Sequence, residues 1–303
     1  MKKKRKTLAA FALAAVVLAG LLGGCASKSG NTVVVASKQF TENIILGEMY
    51  AQLIEEKTDL PVERKLNLGG TSVIMPAIES GEADIYFEYT GTICSEILKK
   101  DTAGGITADQ ALEYATDGMQ DQYDMTFFTP VGLNNTYAVG MPRSKVEKLG
   151  ITKLSELKDH ASDLVFGAPH TFYTRISDGY DALTETYDLS FRETKKMDQT
   201  LMYEAAANGE LDVVIAFATD SMLLKYDIVL LEDDLELFPP YHGAPLCRNE
   251  VLEAHPELKE VLNLLAGKID DKTMQELNYQ VDIEKRKPED VAREFLTEQG
   301  FIG

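Results

Sequence analysis

Four aromatic side chains occupy positions where predicted strands end or where the chain changes direction. They are Tyr89, Tyr137, Phe217 and Tyr241. Rings that converge on one point present faces of negative electrostatic potential, and such a box suits a quaternary ammonium group, which has no N–H to donate. Each ring would contribute ~0.5–2 kcal/mol to holding the cation. Core packing explains any single ring equally well, so the pattern by itself leaves both interpretations open.

Two cationic side chains also follow predicted strands. Lys38 comes just after the strand 33–36, and Arg175 follows the strand that ends at Ala168. An ammonium group and a fork-shaped guanidinium at the edge of one cleft can hold a carboxylate between them. Two solvated surface cations are the alternative interpretation, and the spacing alone does not separate the two.

Two matching segments, 77–89 and 205–217, predict that similar lobes position these side chains. Each segment has the pattern of a helix end, a glycine stop and a buried strand that finishes in an aromatic residue. The matched pairs are Gly81 with Gly209, Glu82 with Glu210, Asp84 with Asp212, and Tyr89 with Phe217. Open α/β sheets bind ligands at the carboxyl ends of their strands, so two such ends that face each other would form a cleft.

Strand-like and helix-like apolar runs alternate along the chain, which indicates an α/β fold. The predicted strands are 33–36, 62–66, 85–89, 138–141, 164–168, 213–217 and 228–231. The predicted helices are 42–56, 72–80, 107–120, 176–187, 200–208, 251–268, 271–279 and 288–299. Turn-rich residues at 134–137 and proline-rich residues at 238–243 predict two crossings between lobes. Two crossings make a hinge, which suits closure around a ligand.

The first 24 residues have the pattern of an export signal. Five Lys or Arg side chains precede the apolar run 9–22, which is shorter than the ~20 residues of a membrane-spanning helix. The run ends in Leu-Gly-Gly-Cys, an order that resembles a bacterial lipobox. We therefore expect cleavage before Cys25, lipidation of Cys25, a tether over 25–31 and an extracytoplasmic protein anchored to the cell membrane. A plain secretory signal with an incidental cysteine is the alternative.

Composition argues against several functions. The net charge of −19 disfavours nucleic acid or anionic lipid as a partner. Scattered histidines and three cysteines show no metal-ligand spacing, so we expect no metal and no cofactor. Whether Cys94 pairs with Cys247 is open. An enzyme would have to use His170 or His242 with Asp220 or Glu88, but the sequence has neither a nucleophile elbow nor a phosphate-binding glycine loop.

Several stretches together resemble the quaternary ammonium-binding lipoproteins of osmoprotectant ABC transporters, which bind glycine betaine, carnitine or choline. The stretches are 37–42, 88–92, 217–220, 238–241 and 277–282. The resemblance extends over nearly the whole chain after residue 24. It implies a two-lobe periplasmic-binding-protein fold of type II with two hinge crossings. Lobe one would comprise 32–134 plus 242–303, and lobe two 135–241. The implied partners are a permease and its ATPase, with no enzymatic turnover.

The resemblance also implies roles for individual residues. The four aromatic residues become the cage, the backbone carbonyl of Asn135 faces the cation, and Lys38, Thr92 and Arg175 hold the carboxylate. The family often has Tyr where this chain has Phe217, and some relatives have Gln in place of Lys38. Lysine there favours a ligand with a carboxylate, such as glycine betaine, proline betaine or carnitine, over choline. Choline, ergothioneine and a sensor without transport stay open as alternatives.

Overall fold

A computed structural model describes residues 31–100 and 105–303, and 33–303 form one compact unit. Its strands form two five-stranded sheets with helices packed on them, so the predicted α/β class is confirmed. The strands are β1 Val33–Lys38, β2 Val62–Gly69, β3 Ile85–Tyr89, β4 Met125–Phe127, β5 Tyr137–Pro142, β6 Val165–Ala168, β7 Glu193–Lys196, β8 Val213–Phe217, β9 Ile228–Leu230 and β10 Gly243–Arg248. The predicted signal peptide and Cys25 lie outside the described residues.

Helices connect most of the strands, and the last four follow β10 in succession. They are α1 Thr41–Lys57, α2 Thr71–Glu79, α3 Ala108–Tyr123, α4 Arg143–Leu149, α5 Tyr180–Tyr187, α6 Gln199–Ala207, α7 Met222–Lys225, α8 Asn249–Ala254, α9 Leu258–Leu262, α10 Asp271–Asp282 and α11 Pro288–Glu298. Shorter helical turns cover Thr90–Thr92, Ile93–Ile97, Leu154–Asp159, Ala161–Asp163 and His170–Thr174. Apart from the signal peptide, most predicted elements therefore exist close to their expected bounds.

The two sheets share one topology. Their strand orders are β2-β1-β3-β10-β4 and β7-β6-β8-β5-β9. In each sheet three parallel strands are followed by an antiparallel strand, β10 in the first and β5 in the second. Both antiparallel strands come directly after the chain has passed from the other sheet. Each lobe is therefore completed by a strand that enters across the hinge.

The matching segments perform the same structural task in both lobes. Gly81 and Gly209 have left-handed φ values of 76° and 80°, a conformation that favours glycine. The carboxylate of Asp84 accepts a hydrogen bond from Val34 N at 2.9 Å. In the second lobe the carboxylate of Asp212 accepts one from Val165 N at 2.7 Å. The motif thus ends a helix and secures the next strand, β3 or β8, beside its parallel neighbour, β1 or β6.

The two passages of the chain between the sheets lie side by side. Asn134 and His242 form an antiparallel bridge, and the Asn134 side chain accepts from Tyr241 N at 2.7 Å. Asn135 N donates to Tyr241 O at 3.2 Å. The predicted lobe boundaries, 134/135 and 241/242, fall in this paired segment and stay a prediction.

Both faces of the central strands of each sheet are buried, whereas the edge strands β2 and β7 are largely exposed. In the first sheet Val33 and Val35 pack with α1 and the C-terminal helices, whereas Val34 and Ala36 pack with α2 and α3. This follows from the alternation of side chains along a strand. The second sheet likewise contributes to two buried clusters. Near-continuous apolar strands are what a sheet covered on both faces requires.

Some predicted helices are wrong in their extent, and three strands were not predicted. The helix expected over 251–268 is interrupted at His255-Pro256, because proline lacks the N–H that a helix needs and disfavours helical backbone before it. The helix expected from residue 176 begins only at Tyr180. Strand β10 contains Pro245, which normally argues against a strand between two neighbours. Strands β4 and β7 are short and lie at the edges of their sheets, and β7 is polar.

Candidate functional site

All eight residues singled out from the sequence line one cavity of about 210 Å³ at the carboxyl ends of strands from both sheets. We call it the ligand cavity. Its walls are Lys38, Phe40, Tyr89, Thr92, Asn135, Tyr137, Arg175, Phe217 and Tyr241. Phe40 is the additional residue. The structure therefore brings the eight together, and their role in binding stays a prediction.

The aromatic rings of the ligand cavity support one another. Tyr137 and Phe217 are opposite each other in the β5–β8 register and stack with centroids 4.7 Å apart. On the other lobe, Phe40 stacks on Tyr89 at 6.3 Å. The Tyr241 ring lies against Gly91, where an added Cβ would be 2.6 Å from it. Glycine at 91 therefore leaves the space that the fourth ring occupies.

Lys38 belongs to a buried polar network in lobe one. Its ammonium donates to Glu88, which is 0% exposed, and lies 5.2 Å from the centre of the Tyr89 ring. Glu88 also accepts from Thr71 Oγ1 and Tyr86 Oη, both at 3.1 Å, and from the Tyr89 N–H. Four donors thus converge on one carboxylate, which gives the Lys38 ammonium a defined place in the cavity wall.

Arg175 has its own counter-ion in lobe two. Its Nε donates to Asp178 Oδ1 at 2.7 Å, and its Nη2 donates to Asp178 Oδ2. Asp178 is buried, and the guanidinium lies 4.9 Å from the centre of the Tyr137 ring. This pairing occupies one edge of the guanidinium and leaves Nη1 for other partners. Asp178, mainly through its hydrogen bond, also raises the pKa of Arg175.

Both cations of the predicted carboxylate clamp are therefore already paired, which the sequence analysis did not anticipate. Lys38 and Glu88 are 50 positions apart, so no local spacing indicates the contact. Asp178, three residues after Arg175, was visible as a neighbouring charge. In both cases the sequence does not indicate which of its many acidic residues the fold brings next to each cation.

Glu42 is a further buried acid behind the aromatic wall. Its Oε1 accepts from Tyr89 Oη at 2.5 Å and from Asn135 Nδ2 at 3.0 Å. Burial raises the pKa of Glu42, and polar neighbours such as Thr219 and Tyr89 partly offset this effect. Burial and the nearby Glu42 also raise the pKa of Tyr89 well above its usual value, so its hydroxyl stays a donor.

The cysteines and the acidic residues considered for other functions have structural surroundings of their own. Cys94 and Cys247 are buried and free rather than paired. Asp220, an acid of the enzyme alternative, accepts from Tyr203 Oη at 2.7 Å. The residues that the structure describes contain no cluster of His, Cys, Asp or Glu suited to a metal ion. Among the same residues, no helix has the length and apolarity to cross a membrane.

Two five-stranded α/β lobes joined by paired crossings, with a cavity walled from both sides, define the class of two-lobe substrate-binding proteins. The chain belongs to the family described as the substrate binding domain of ABC-type glycine betaine transport systems, which it matches over residues 31–298. The chain is thus a substrate-binding protein of a family of ABC transporters, and this prediction is confirmed. Members of this family act outside the cytoplasm as binding proteins rather than enzymes.

Comparisons with individual relatives give the same family assignment. The chain is 32% identical to the carnitine transport binding protein OpuCC of Listeria monocytogenes, over 99% of this chain and 98% of the relative. It is 34% identical to the ergothioneine transport permease/ergothioneine binding protein EgtU of Helicobacter pylori, over 89% of this chain and 48% of that longer protein. A crystal structure of a glycine betaine/carnitine/choline ABC transporter protein superposes with a TM-score of 0.84 at 32% identity, over 89% of this chain and 99% of that one.

Proposed function

We propose that the protein captures a zwitterionic quaternary ammonium compound in the ligand cavity and delivers it to an ABC permease powered by its ATPase. The four aromatic rings would surround the ammonium group with Asn135 beside them, and Lys38, Thr92 and Arg175 would hold the carboxylate. The observation that best supports this proposal is the convergence on one cavity of eight residues from distant parts of the chain. Binding without turnover is the corresponding activity.

The charge balance of the cavity favours a zwitterion. Lys38 is paired with Glu88 and Arg175 with Asp178, so neither cation lacks a counter-ion before a ligand arrives. A ligand with equal positive and negative charge keeps this balance, whereas choline would add an uncompensated charge to a largely desolvated site. Glycine betaine, proline betaine and carnitine are the ligands that this reasoning favours.

Two alternatives concern the ligand and the use of the protein. The relative from Helicobacter pylori is named for ergothioneine, which is also a trimethylammonium zwitterion, so ergothioneine and choline belong in any test. A sensor that binds ligand without a permease is the second alternative. Genes for a permease and an ATPase beside this one would favour transport over sensing.

The cellular setting is part of the proposal. Cleavage before Cys25 and lipidation of its thiol would anchor the protein at the outer face of the cell membrane, with 25–31 as the tether. Lobe one would be 32–134 plus 242–303 and lobe two 135–241, so that closure on the ligand turns about the paired crossings. Mass spectrometry of the membrane-extracted protein tests the anchor, because an unmodified Cys25 would exclude it.

Calorimetric titration with glycine betaine, carnitine, choline and ergothioneine tests the function directly. We expect saturable binding of a carboxylated ligand and weaker binding of choline. Tyr241→Ala should lower the affinity for the ligand about 2- to 30-fold, because one ring contributes ~0.5–2 kcal/mol to binding. Tyr241→Phe keeps the ring and should retain most of the affinity. Absence of binding for all four compounds would contradict the quaternary ammonium assignment and leave the fold unaffected.

A further inference from the structure

Helix α10 has two adjacent faces that contact different sheets. On one face, Met274 and Leu277 are buried in the core cluster that includes residues of β1 and α1, which fixes the helix to the first sheet. The other face carries three polar residues three and four positions apart, a spacing that aligns side chains along a helix. They are Gln275, Asn278 and Asp282, and we call them the polar face of α10. This face meets the loop 218–221, which joins β8 of the second sheet to α7.

The polar face makes three hydrogen bonds to this loop. With the donor named first, they are Gln275 Nε2 to Ala218 O at 2.6 Å, Asn278 Nδ2 to Thr219 O at 2.9 Å, and Ser221 Oγ to Asp282 Oδ2 at 3.0 Å. Thr219 and Ser221 are each 2% exposed, so these two residues are shielded from water in this arrangement. A helix fixed to the first sheet is thereby bonded to a loop of the second.

The polar face is separate from the ligand cavity but is connected to it through the loop. None of its three residues belongs to the wall of the ligand cavity. Phe217 does belong to that wall and comes directly before the loop, so the loop and this ring form one continuous segment. A crevice of about 460 Å³ runs beside the bonds, with Asn278, Asp282 and Ser221 in its wall. Water in this crevice can replace the hydrogen bonds when the lobes part, which makes the contact reversible.

We propose that the polar face of α10 holds the two lobes in the closed arrangement and thereby raises the affinity for every ligand without touching one. This inference rests on the proposed function. A ligand that contacts both lobes binds tightly only to the closed form, so its apparent affinity scales with the closed fraction of the protein. A hydrogen bond made only on closing multiplies the closed-to-open ratio by a factor that does not depend on the ligand. The three residues are therefore positioning residues.

Two hydroxyls that donate to one carboxylate provide a matched test. Asp282 accepts from Ser221, in the loop after β8, and from Thr41 Oγ1, at the start of α1, at 2.5 Å. Of these two bonds, only the one from Ser221 joins the two sheets. Ser221→Ala should lower the affinities for glycine betaine and carnitine by one common factor of about 2- to 10-fold. Thr41→Val removes the other hydroxyl and should change either affinity by no more than about twofold. Calorimetric titration of the purified protein gives both affinities.

A second variant tests another bond of the same face. Gln275→Ala removes the bond to Ala218 from a partly buried position, and alanine favours helix, so α10 should be retained. Gln275 and Asp282 are two helical turns apart, so the loss for Gln275→Ala combined with Ser221→Ala should be about the product of the single losses. Stopped-flow measurement should assign these losses to the dissociation rate, because the ligand leaves only after the lobes open.

The outcomes separate closure from other roles of α10. Unchanged affinities in variants of lower thermal stability would show that the bonds persist in the open arrangement, and would overturn the inference. Losses that differ more than about threefold between glycine betaine and carnitine would also overturn it, because a ligand-specific loss indicates contact with the ligand. If neither compound binds to the unaltered protein, the proposed function fails, and this inference fails with it.

Discussion

The two lobes share a scaffold but differ in how they support the site. Strands β3 and β8 carry the matched residues Tyr89 and Phe217 at their ends, and each strand is positioned by an aspartate after a glycine stop. One position earlier the match fails: β3 has Glu88 where β8 has Ala216. Lobe one therefore supplies its counter-ion from the strand itself, whereas lobe two supplies Asp178 from a loop.

The two cations also differ in their surroundings. The Lys38 side chain is 7% exposed and its counter-ion receives three further hydrogen bonds. The Arg175 side chain is 34% exposed, and Ile176, the next residue, is 93% exposed. The site thus combines two walls. The fixed wall, with Lys38 and Glu88, is built into strands, whereas the accessible wall, with Arg175 and Asp178, lies on a loop.

The largest expected effect comes from removing the counter-ion in the fixed wall. Glu88→Ala makes lobe one match lobe two at this position and leaves Lys38 as a buried charge without a partner. Breaking a buried pair costs about 3–5 kcal/mol. Urea denaturation should show this loss in the free energy of unfolding, with a smaller loss for Glu88→Gln, which keeps the shape and an acceptor. A loss below about 1 kcal/mol would mean that Lys38 turns to solvent instead.

Arg175→Ala tests the accessible wall. Hydrogen bonds to charged groups contribute about 1.5–3 kcal/mol, so glycine betaine should bind about 10- to 100-fold more weakly. Choline has no carboxylate, and once Arg175 is removed Asp178 can compensate its positive charge, so the affinity for choline should not fall. Titration of both ligands, with Arg175→Lys as the matched control, gives the comparison. Equal losses for the two ligands would assign Arg175 to lobe closure rather than to the carboxylate.

The glycine stops provide a matched pair for stability. Gly81→Ala and Gly209→Ala both place a side chain at left-handed φ, which costs about 1–2 kcal/mol. At Gly81 the new Cβ would also lie 2.9 Å from Arg248 Nη1, whereas at Gly209 it meets no atom within 4 Å. Thermal unfolding should therefore show the larger decrease for Gly81→Ala. A larger decrease for Gly209→Ala would mean that Arg248 moves aside without cost and that another difference between the lobes sets the stability.

The smallest expected effect is that of restoring the hydroxyl in lobe two. Phe217→Tyr makes the matched strand ends identical and keeps the ring face, so glycine betaine affinity should change by no more than about threefold. Phe217→Leu removes the face and should weaken binding about 2- to 30-fold in the same titration. A larger loss for tyrosine than for leucine would show that the shape at this wall matters more than the ring.

Much of this architecture was predictable because it depends on local patterns. The alternation of strands and helices follows from apolar periodicity, and the duplicated glycine–aspartate motif by itself predicts two lobes. Lys38, Tyr89, Arg175 and Phe217 could be chosen because they end or follow strands, whose carboxyl ends meet at one edge of a sheet. Tyr137 and Tyr241 could be chosen because they lie at the predicted crossings. The family resemblance placed the remaining members, Thr92 and Asn135, in the same site.

Only the tertiary structure decided which partners these residues have. The sequence contains 49 acidic residues, and nothing local indicates that Glu88 pairs with Lys38 or that Glu42 lies behind the aromatic wall. Strand β10, with Pro245 between two neighbours, depends on the chain returning across the hinge. The residues at the chain's strand ends follow from sequence alone, because periodicity is local. Their charge balance does not, because it arises from contacts between distant segments.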